Sequence, residues 1–231
     1  MRAQSVMLDA SLSFNRMEIL PVINCEDEGC VRERAAASQA LLGPACWVHV
    51  DIADGGLTDG YTTWRDATTA RTLIPPEVKI ELHVMVREAE LALPGWLSAG
   101  INRVIVHPSG ITSLEAVKQM CEPYGVSVFL GISPQEARDG LDKGQVACDG
   151  FHVLAVNPGR SGQEFMEESL ALIKRLREQF PGKPISVDGG VTLEKAEQCA
   201  RAGAVRCAVS SALWGATDRA ALIESFSQIR S

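Results

Sequence analysis

Short apolar runs alternate with segments of helical periodicity along most of the chain. Residues 18–23 (EILPVI) predict a first strand, and residues 31–42 predict a helix behind it. The same unit then recurs without a linker or a shift in composition. The further predicted strands are 46–52, 78–84, 103–107, 126–131, 150–156, 184–188 and 205–210. The further predicted helices are 63–73, one within 88–98, 113–121, one that starts at Ser133, 166–180, 193–202 and 218–229.

Eight strand–helix units within about 210 residues predict a closed parallel barrel. An open doubly wound sheet usually has fewer strands and a G-x-G-x-x-G turn after the first one. No such turn follows Ile23. The prediction is therefore an α/β protein with a single (β/α)8 TIM barrel over residues 18–231, preceded by an N-terminal extension at residues 1–17.

Composition and charge narrow the function classes. The chain has 231 residues, of which 46% are hydrophobic and 22% charged, as in ordinary globular proteins. Its net charge of −7 offers no basic field for nucleic acid or an anionic membrane, so neither is expected as a partner. No run approaches 18 apolar residues, and residues 1–16 lack the apolar core of a signal peptide. A cytoplasmic location is therefore expected.

The cysteines are scattered and include no C-x-x-C pair. They stand at positions 25, 30, 46, 121, 148, 199 and 207. Such spacing predicts neither a zinc knuckle nor a disulfide framework. We interpret them as small buried side chains in a reducing compartment.

Polar side chains stand where several predicted strands end. His49 and Asp51 lie two residues apart on the second strand, so both point to the same face. This pair alone could share a metal ion or a proton, or form a hydrogen-bonded polar pair in the core. His83 ends the third strand and Asp188 the seventh, at the end of a barrel where active sites lie. Together the four predict a site for a divalent cation (zinc, iron, manganese or cobalt), the alternative being four independently satisfied polar residues.

Two further histidines are interpreted differently. His107 ends the fourth strand and could line the same barrel mouth, where we expect it to support the site without binding the cation. His152 lies in the middle of the sixth strand. It is interpreted as a core histidine whose hydrogen bonds are satisfied, or as a histidine on the face of the strand that packs against the helices.

Glycine-rich or small-residue loops follow the sixth, seventh and eighth predicted strands. Glycines let the backbone approach a ligand closely, and free amides there attract an anion. Barrels often bind a phosphate at the loops after strands seven and eight. Arg160 could contact such an anion directly, or it could be a solvent-exposed loop arginine. The predicted phosphate-binding residues are Gly159, Arg160, Ser161, Gly162, Gly189, Gly190, Ser210 and Ser211.

From about Leu20 to the C-terminus, the chain resembles the ribulose-phosphate 3-epimerase family. The motifs that carry the resemblance are HVDIADG at 49–55, LHVMV at 82–86, VNPG at 156–159 with GQEF at 162–165, and VDGGV at 187–191. The resemblance implies that His49, Asp51, His83 and Asp188 bind the metal. It also implies that Asp51 and Asp188 exchange protons with opposite faces of a phosphorylated ketose, with D-ribulose 5-phosphate and D-xylulose 5-phosphate as the first pair. Relatives in the family form dimers or hexamers, so a homo-oligomer is expected.

The chain departs from the family mainly around the expected substrate. The family's Pro-Ser-Ile-Leu-Ser-Ala-Asp stretch is PVINCED at 21–27, where Cys25 is taken to replace the substrate-contacting serine. Further differences fall at Ala53 and Leu154, where the family has methionines, in the loop after Gly55, at 159–162 and at Ser210-Ser211. These departures bear on the substrate more than on the chemistry. The alternatives are therefore an epimerase for another sugar phosphate, such as allulose 6-phosphate, or a barrel that binds sugar phosphates without turnover.

Overall fold

The strands form a closed parallel barrel in the computed structural model, which describes residues 16–139 and 147–230. They are hydrogen-bonded in chain order, and β1 closes the barrel against β8. The strands are β1 Glu18–Ile23, β2 Trp47–Ala53, β3 Lys79–Met85, β4 Arg103–Val106, β5 Ser127–Ile132, β6 Gly150–Leu154, β7 Ile185–Asp188 and β8 Arg206–Val209. The predicted (β/α)8 fold is confirmed, and each strand lies within a residue or two of its predicted position.

Helices follow the strands and cover the outside of the barrel. In the described ranges they are α1 Glu28–Leu42, α2 Ala70–Leu73, α3 Ala89–Ser98, α4 Leu114–Cys121, α5 Glu168–Gln179, α6 Leu193–Ala202, α7 Ser211–Trp214 and α8 Arg219–Ser227. Short 3-10 segments lie at Pro108–Gly110, Glu122–Tyr124 and Glu136–Asp139. None of the helices in the part of the chain that the structure describes has the length and apolar character to cross a membrane.

The segment between β2 and β3 differs most from prediction. Residues 63–73 are predicted to be helical, but only α2, at the end of this range, is a helix. The Thr63 N–H donates to Ala53 O at 3.1 Å, and the Thr63 hydroxyl donates to Asp51 O at 2.8 Å. These bonds tie Thr63 to the end of β2, so the chain runs on without a helix where one is predicted to start.

Two predictions reach the limits of the described residues. Ser133 Oγ accepts from the Glu136 N–H at 3.2 Å and Glu136 Oε2 accepts from the Ser133 N–H at 2.8 Å, a capping box that begins a 3-10 turn. The rest of the helix predicted from Ser133 falls on residues 140–146, outside the described ranges. The predicted extension at residues 1–17 also falls outside them, apart from Arg16 and Met17, and its boundary stays a prediction.

Side chains alternate between the two faces of each strand, and this alternation decides what enters the barrel. On β2, Val48, Val50 and Ile52 pack into the apolar core beneath the helices. His49 and Asp51 lie between them in sequence and therefore point into the barrel. All strands alternate in this way, so the barrel interior and the helix-facing core are two separate packing layers.

Candidate active site

A histidine and a carboxylate from β2 meet a histidine from β3 inside the barrel. The strand register places Asp51 opposite His83. Asp51 Oδ1 lies 3.1 Å from His49 Nε2 and 2.9 Å from His83 Nδ1, and the two ring nitrogens are 3.2 Å apart. Two neighbouring ligands of a first-row metal ion, each about 2.1 Å from it, are themselves about 3 Å apart. The donor atoms of these three residues therefore fit a shared divalent cation.

Asp188 completes the set that the sequence singles out. It is the last residue of β7, and its Oδ2 lies 3.9 Å from His49 Nε2. The Gly189 N–H donates to its other oxygen, Oδ1, at 2.7 Å, which fixes the carboxylate's orientation. The structure thus brings His49, Asp51, His83 and Asp188 together at one end of the barrel.

His152 agrees with the sequence interpretation only in part. It is a fully buried core histidine, but it faces the barrel interior and not the helices, and its ring stacks on His49 at 5.3 Å between centroids. Its Nε2 has no hydrogen-bond partner among the described residues. One ligand atom each of His49, His83, His152 and Asp188 lie within 4.8 Å of one another. The signal was present in the sequence, because Phe151 and Val153 occupy the helix-facing side of β6 and leave His152 to point inward.

His49 on β2 and His83 on β3 each have a buried partner at the ring nitrogen that faces away from Asp51. His49 Nδ1 lies 2.7 Å from Glu81 Oε1, and Glu81 in turn accepts from Arg103 Nη1 at 2.5 Å. His83 Nε2 lies 2.8 Å from His107 Nε2, so the supporting role predicted for His107 agrees with its position. Partners of this kind fix the tautomer and ring orientation of metal-binding histidines. The sequence interpretation missed Glu81, although its place two residues before His83 puts it on the same face.

The electrostatics of the cluster favour added positive charge. Burial alone would lower the pKa of His49, but hydrogen bonds to Asp51 and Glu81 outweigh it and raise that pKa well above its ordinary value. Burial also opposes ionisation of Asp51, yet hydrogen bonds from His49 and His83 lower its pKa. A site that stabilises a proton on His49 in this way would stabilise a metal cation by the same contacts.

The two carboxylates are driven in opposite directions. The pKa of Asp51 is lowered, whereas burial raises the pKa of Asp188. The positive charge of His49 and His83 offsets this rise only in part, and the negative charge of Asp51 adds to it. Carboxyl groups whose environments separate their pKa values are typical of acid and base partners. At rest, Asp51 is therefore the carboxylate that is held ionised, and Asp188 is the one that is more readily protonated.

All eight residues of the predicted phosphate site line the pocket above Asp51 and Asp188. The pocket is formed by the loops after β6, β7 and β8, where the predicted residues are Gly159, Arg160, Ser161, Gly162, Gly189, Gly190, Ser210 and Ser211. Only glycine fits at position 190. Its φ is +64°, and a Cβ there would lie 2.6 Å from the backbone nitrogen of Phe165. The backbone of the β7 loop therefore packs directly against that of the β6 loop.

Arg160 lies at the rim of this pocket. Its side chain is 77% exposed, its Nη1 is 4.0 Å from Glu26 Oε1, and its guanidinium stands 5.2 Å above the ring of Tyr61. Contact with an anion and simple solvent exposure both remain compatible with this position.

The segment at the end of β1 differs from the expectation at Cys25. The pocket is lined by Val22 and Asn24 from this segment and not by Cys25. Cys25 instead forms a disulfide with Cys30, which contradicts the prediction that the cysteines are unpaired. Helix α1 begins at Glu28, earlier than predicted, and thereby brings Cys30 within bonding distance. The cysteines at 46, 121, 148, 199 and 207 are free and buried, as predicted.

Comparison with known proteins decides the family. A sequence profile of the Ribulose-phosphate 3 epimerase family matches residues 22–214, most of the chain. The chain belongs to this family. Its members carry the name of an epimerase, so the predicted isomerase class is confirmed.

Individual relatives agree with this assignment. The ribulose-phosphate 3-epimerase of Aquifex aeolicus is 27% identical and aligns over 87% of this chain and 90% of its own. That of Bacillus subtilis is 28% identical over 77% of this chain and 83% of its own. The chloroplastic ribulose-5-phosphate-3-epimerase of Arabidopsis thaliana is 29% identical over 77% of this chain and 65% of its own.

Solved structures share the architecture at lower identity. The 3-hexulose-6-phosphate synthase of Salmonella typhimurium superimposes with a TM-score of 0.63 at 16% identity, over 92% of this chain and 98% of its own. Tryptophan synthase of Mycobacterium tuberculosis gives a TM-score of 0.65 at 17% identity, over 94% of both chains. Similarities at this level establish the barrel fold alone.

Proposed function

We propose that the protein is a metal-dependent 3-epimerase of a ketose phosphate, with D-ribulose 5-phosphate and D-xylulose 5-phosphate as the first pair to test. The observation that carries the proposal is the position of Asp51 and Asp188 in one pocket. Both carboxylates line it together with the three loops that follow β6, β7 and β8. Family membership supplies the reaction class, and this geometry supplies the groups that the reaction needs.

The proposed chemistry is proton transfer at the carbon beside the ketone. One carboxylate removes the C3 proton from one face, and the other carboxylic acid returns a proton to the opposite face of the planar enediolate. The opposed pKa shifts of Asp51 and Asp188 suit these complementary roles. After one turnover the roles are exchanged, so the enzyme works in both directions.

His49, Asp51, His83 and Asp188 would hold the divalent cation. When bound, the cation supplies positive charge where the enediolate oxygens become negative. The residues behind it, Glu81 and His107, keep the two imidazoles in the orientation that binding requires. The donor set suits zinc, iron, manganese or cobalt and does not choose among them.

The loops after β6, β7 and β8 would bind the phosphate and so place C3 beside the carboxylates. Barrel enzymes often hold phosphate at this position. The tight contact between Gly190 and Phe165 keeps the two loops close, and Ser211 begins the short helix α7 at the pocket wall. Backbone amides of these loops are the expected phosphate donors.

The experiment is deuterium exchange in heavy water, scored at C3 of a panel of pentulose and hexulose phosphates. Wild-type protein with a divalent metal should incorporate deuterium, and chelation should prevent it. Asp188→Asn should stop the exchange, whereas Asp54→Asn, which alters an exposed carboxylate directly after β2, should preserve it. A wild-type protein that exchanges no C3 proton with any member of the panel would sink the proposal. Ligand-induced thermal stabilisation without exchange would then indicate a non-catalytic sugar-phosphate-binding barrel.

The pocket rim favours a second substrate as a candidate. Arg160 and Tyr61 stack at the rim, and Asn24 lines the pocket on the β1 side. These polar groups would suit a longer sugar, such as the hexulose allulose 6-phosphate. The same panel decides between the two, because the preferred substrate is the one with the higher kcat/KM.

A further inference from the structure

His152 has a ring nitrogen that nothing satisfies among the described residues. Its Nδ1 lies 2.8 Å from Ser186 Oγ, but its Nε2 is buried without a hydrogen-bond partner there. A buried polar atom without a partner costs about 1–3 kcal/mol. Such an atom inside a cluster of metal-binding side chains calls for a ligand role.

Ser186 decides which nitrogen of His152 carries the proton. The Ser186 hydroxyl also lies 3.4 Å from Phe151 O, to which only the hydroxyl can donate. If the serine proton is directed there, the serine oxygen accepts from Nδ1–H of His152. Nε2 then carries no proton and keeps its lone pair. Neutral imidazole binds a metal through such a nitrogen.

The imidazole ring of His152 also lies beside the other two imidazoles of the proposed metal site. Its centroid is 5.3 Å from that of His49 and 4.9 Å from that of His83. Ligand atoms of His49, His83, His152 and Asp188 all lie within 4.8 Å of one another. Two ligands on opposite sides of a first-row ion are about 4.2 Å apart, so a small closure brings all four onto one ion.

We propose that His152 binds the metal through Nε2, which makes the centre a three-histidine site. The inference rests on the proposed metal-dependent function. All three imidazoles then follow one pattern: the outer nitrogen is bonded to a buried partner, and the inner nitrogen faces the ion. These outer partners are Glu81 for His49, His107 for His83 and Ser186 for His152.

A third imidazole changes which metal the site prefers. Imidazole nitrogen suits zinc and cobalt, whereas carboxylate oxygen suits manganese and magnesium. We expect His152→Leu to weaken Zn²⁺ and Co²⁺ binding by at least about 100-fold and Mn²⁺ binding by less than about 10-fold. Ser186→Ala keeps the imidazole but removes its orienting bond, so its effect should be smaller and of the same selectivity.

X-ray absorption of the Zn²⁺- and Co²⁺-loaded full chain tests the proposal directly. Wild-type protein should show three imidazole ligands and His152→Leu two, with a changed cobalt ligand-field spectrum. Two imidazoles in the wild type would overturn the inference, even if His152→Leu failed to fold. That result would leave the proposed epimerase intact, because C3 exchange would persist. A wild type that binds none of Zn²⁺, Co²⁺, Mn²⁺ and Fe²⁺ would instead remove the metal centre of the proposed function.

Discussion

The barrel interior contains two polar clusters, one toward each end of its strands. The upper cluster, toward the carboxyl ends, comprises His49, Asp51, His83, His152 and Asp188. The lower cluster, toward the amino ends, comprises Glu18, Glu81, Arg103 and Arg206. In the lower cluster two arginines pair with two glutamates at 2.5 Å each. In the upper cluster, the ion pairs that Asp51 forms within the described ranges are with His49 and His83, and imidazoles are cations only when protonated.

This difference distinguishes a cluster whose charges are already paired from a cluster that we propose binds a cation. The lower cluster is balanced in formal charge, and the guanidinium of Arg103 additionally lies 4.2 Å from the ring of Trp47. The upper cluster has two carboxylates and no lysine or arginine, so an added divalent cation would improve its electrostatic balance. Glu81, in the lower cluster, connects the two clusters, since one of its carboxylate oxygens faces His49 and the other faces Arg103.

The largest effect should follow from Asp51→Asn in the upper cluster. The amide keeps the size of the side chain but removes the charge that we propose holds the cation and the base that we propose moves the C3 proton. We expect C3 exchange to fall by about 10³-fold or more. Metal content should fall with it, as measured by metal analysis of the purified protein.

The control for this variant is Asp54→Asn, in which the metal content and exchange should stay near those of the wild type. If Asp51→Asn retained both full metal content and exchange, the upper cluster would not be the reaction centre.

The next effect should follow from Glu81→Ala, which touches both clusters. Removing Glu81 leaves Arg103 buried without its carboxylate, and breaking a buried pair in this way costs about 3–5 kcal/mol of unfolding free energy. Urea denaturation measures this loss. Metal affinity should also fall by about 10–100-fold, because His49 loses the partner that orients it.

A double variant divides these two losses. Glu81→Leu with Arg103→Met replaces the whole pair with apolar side chains, so most of the stability should return. The metal affinity should not, since His49 still lacks its partner. Recovery of both properties together would mean that Glu81 acts on the metal only through the stability of the barrel.

Local patterns in the sequence were sufficient to predict the barrel. Strand positions depend on short apolar runs, and the side on which His49 and Asp51 lie depends on simple alternation. The helix at 63–73 could not be predicted correctly, because the bonds from Thr63 to Asp51 and Ala53 come from the folded end of β2. The disulfide of Cys25 also depends on where α1 begins, which Asp27 sets by accepting from the Cys30 N–H.

The site was predictable in part for the same reason. Residues that end strands were recognised, whereas those in the middle of strands were judged by their neighbours. The position of His152 in mid-strand therefore suggests a satisfied core or helix-facing histidine, and that of Glu81 attracts no attention. Alternation within each strand is enough to place both side chains inside the barrel. Only the closed barrel shows that His152 stacks on His49 and that Glu81 reaches between the two clusters.

A smaller effect concerns the pH dependence of stability through Glu81→Gln. Burial opposes ionisation of Glu81, but the bond from His49 and the charge of Arg103 lower its pKa below the ordinary value of 4.5. The carboxylate therefore stabilises the fold above about pH 4.5, and this contribution declines as the pH falls toward the lower folded-state pKa. The difference in unfolding free energy between wild type and Glu81→Gln should shrink below pH 4.5, by at most about 1.4 kcal/mol per pH unit. A difference that is constant from pH 7 to pH 3 in urea titrations of the metal-free protein would contradict this.

The smallest effect should follow from Glu18→Gln, at the open end of the lower cluster. Glu18 has a side chain that is 38% exposed, so water solvates much of its charge and screens its bond to Arg206. We expect a loss of less than about 1 kcal/mol of unfolding free energy and no change in metal affinity or C3 exchange. The contrast with Glu81→Ala is the test, because both carboxylates pair with an arginine at the same distance and differ in burial. A loss from Glu18→Gln as large as that from Glu81→Ala would show that the four charges act as one unit, with Arg206 depending on Glu18 as fully as Arg103 depends on Glu81.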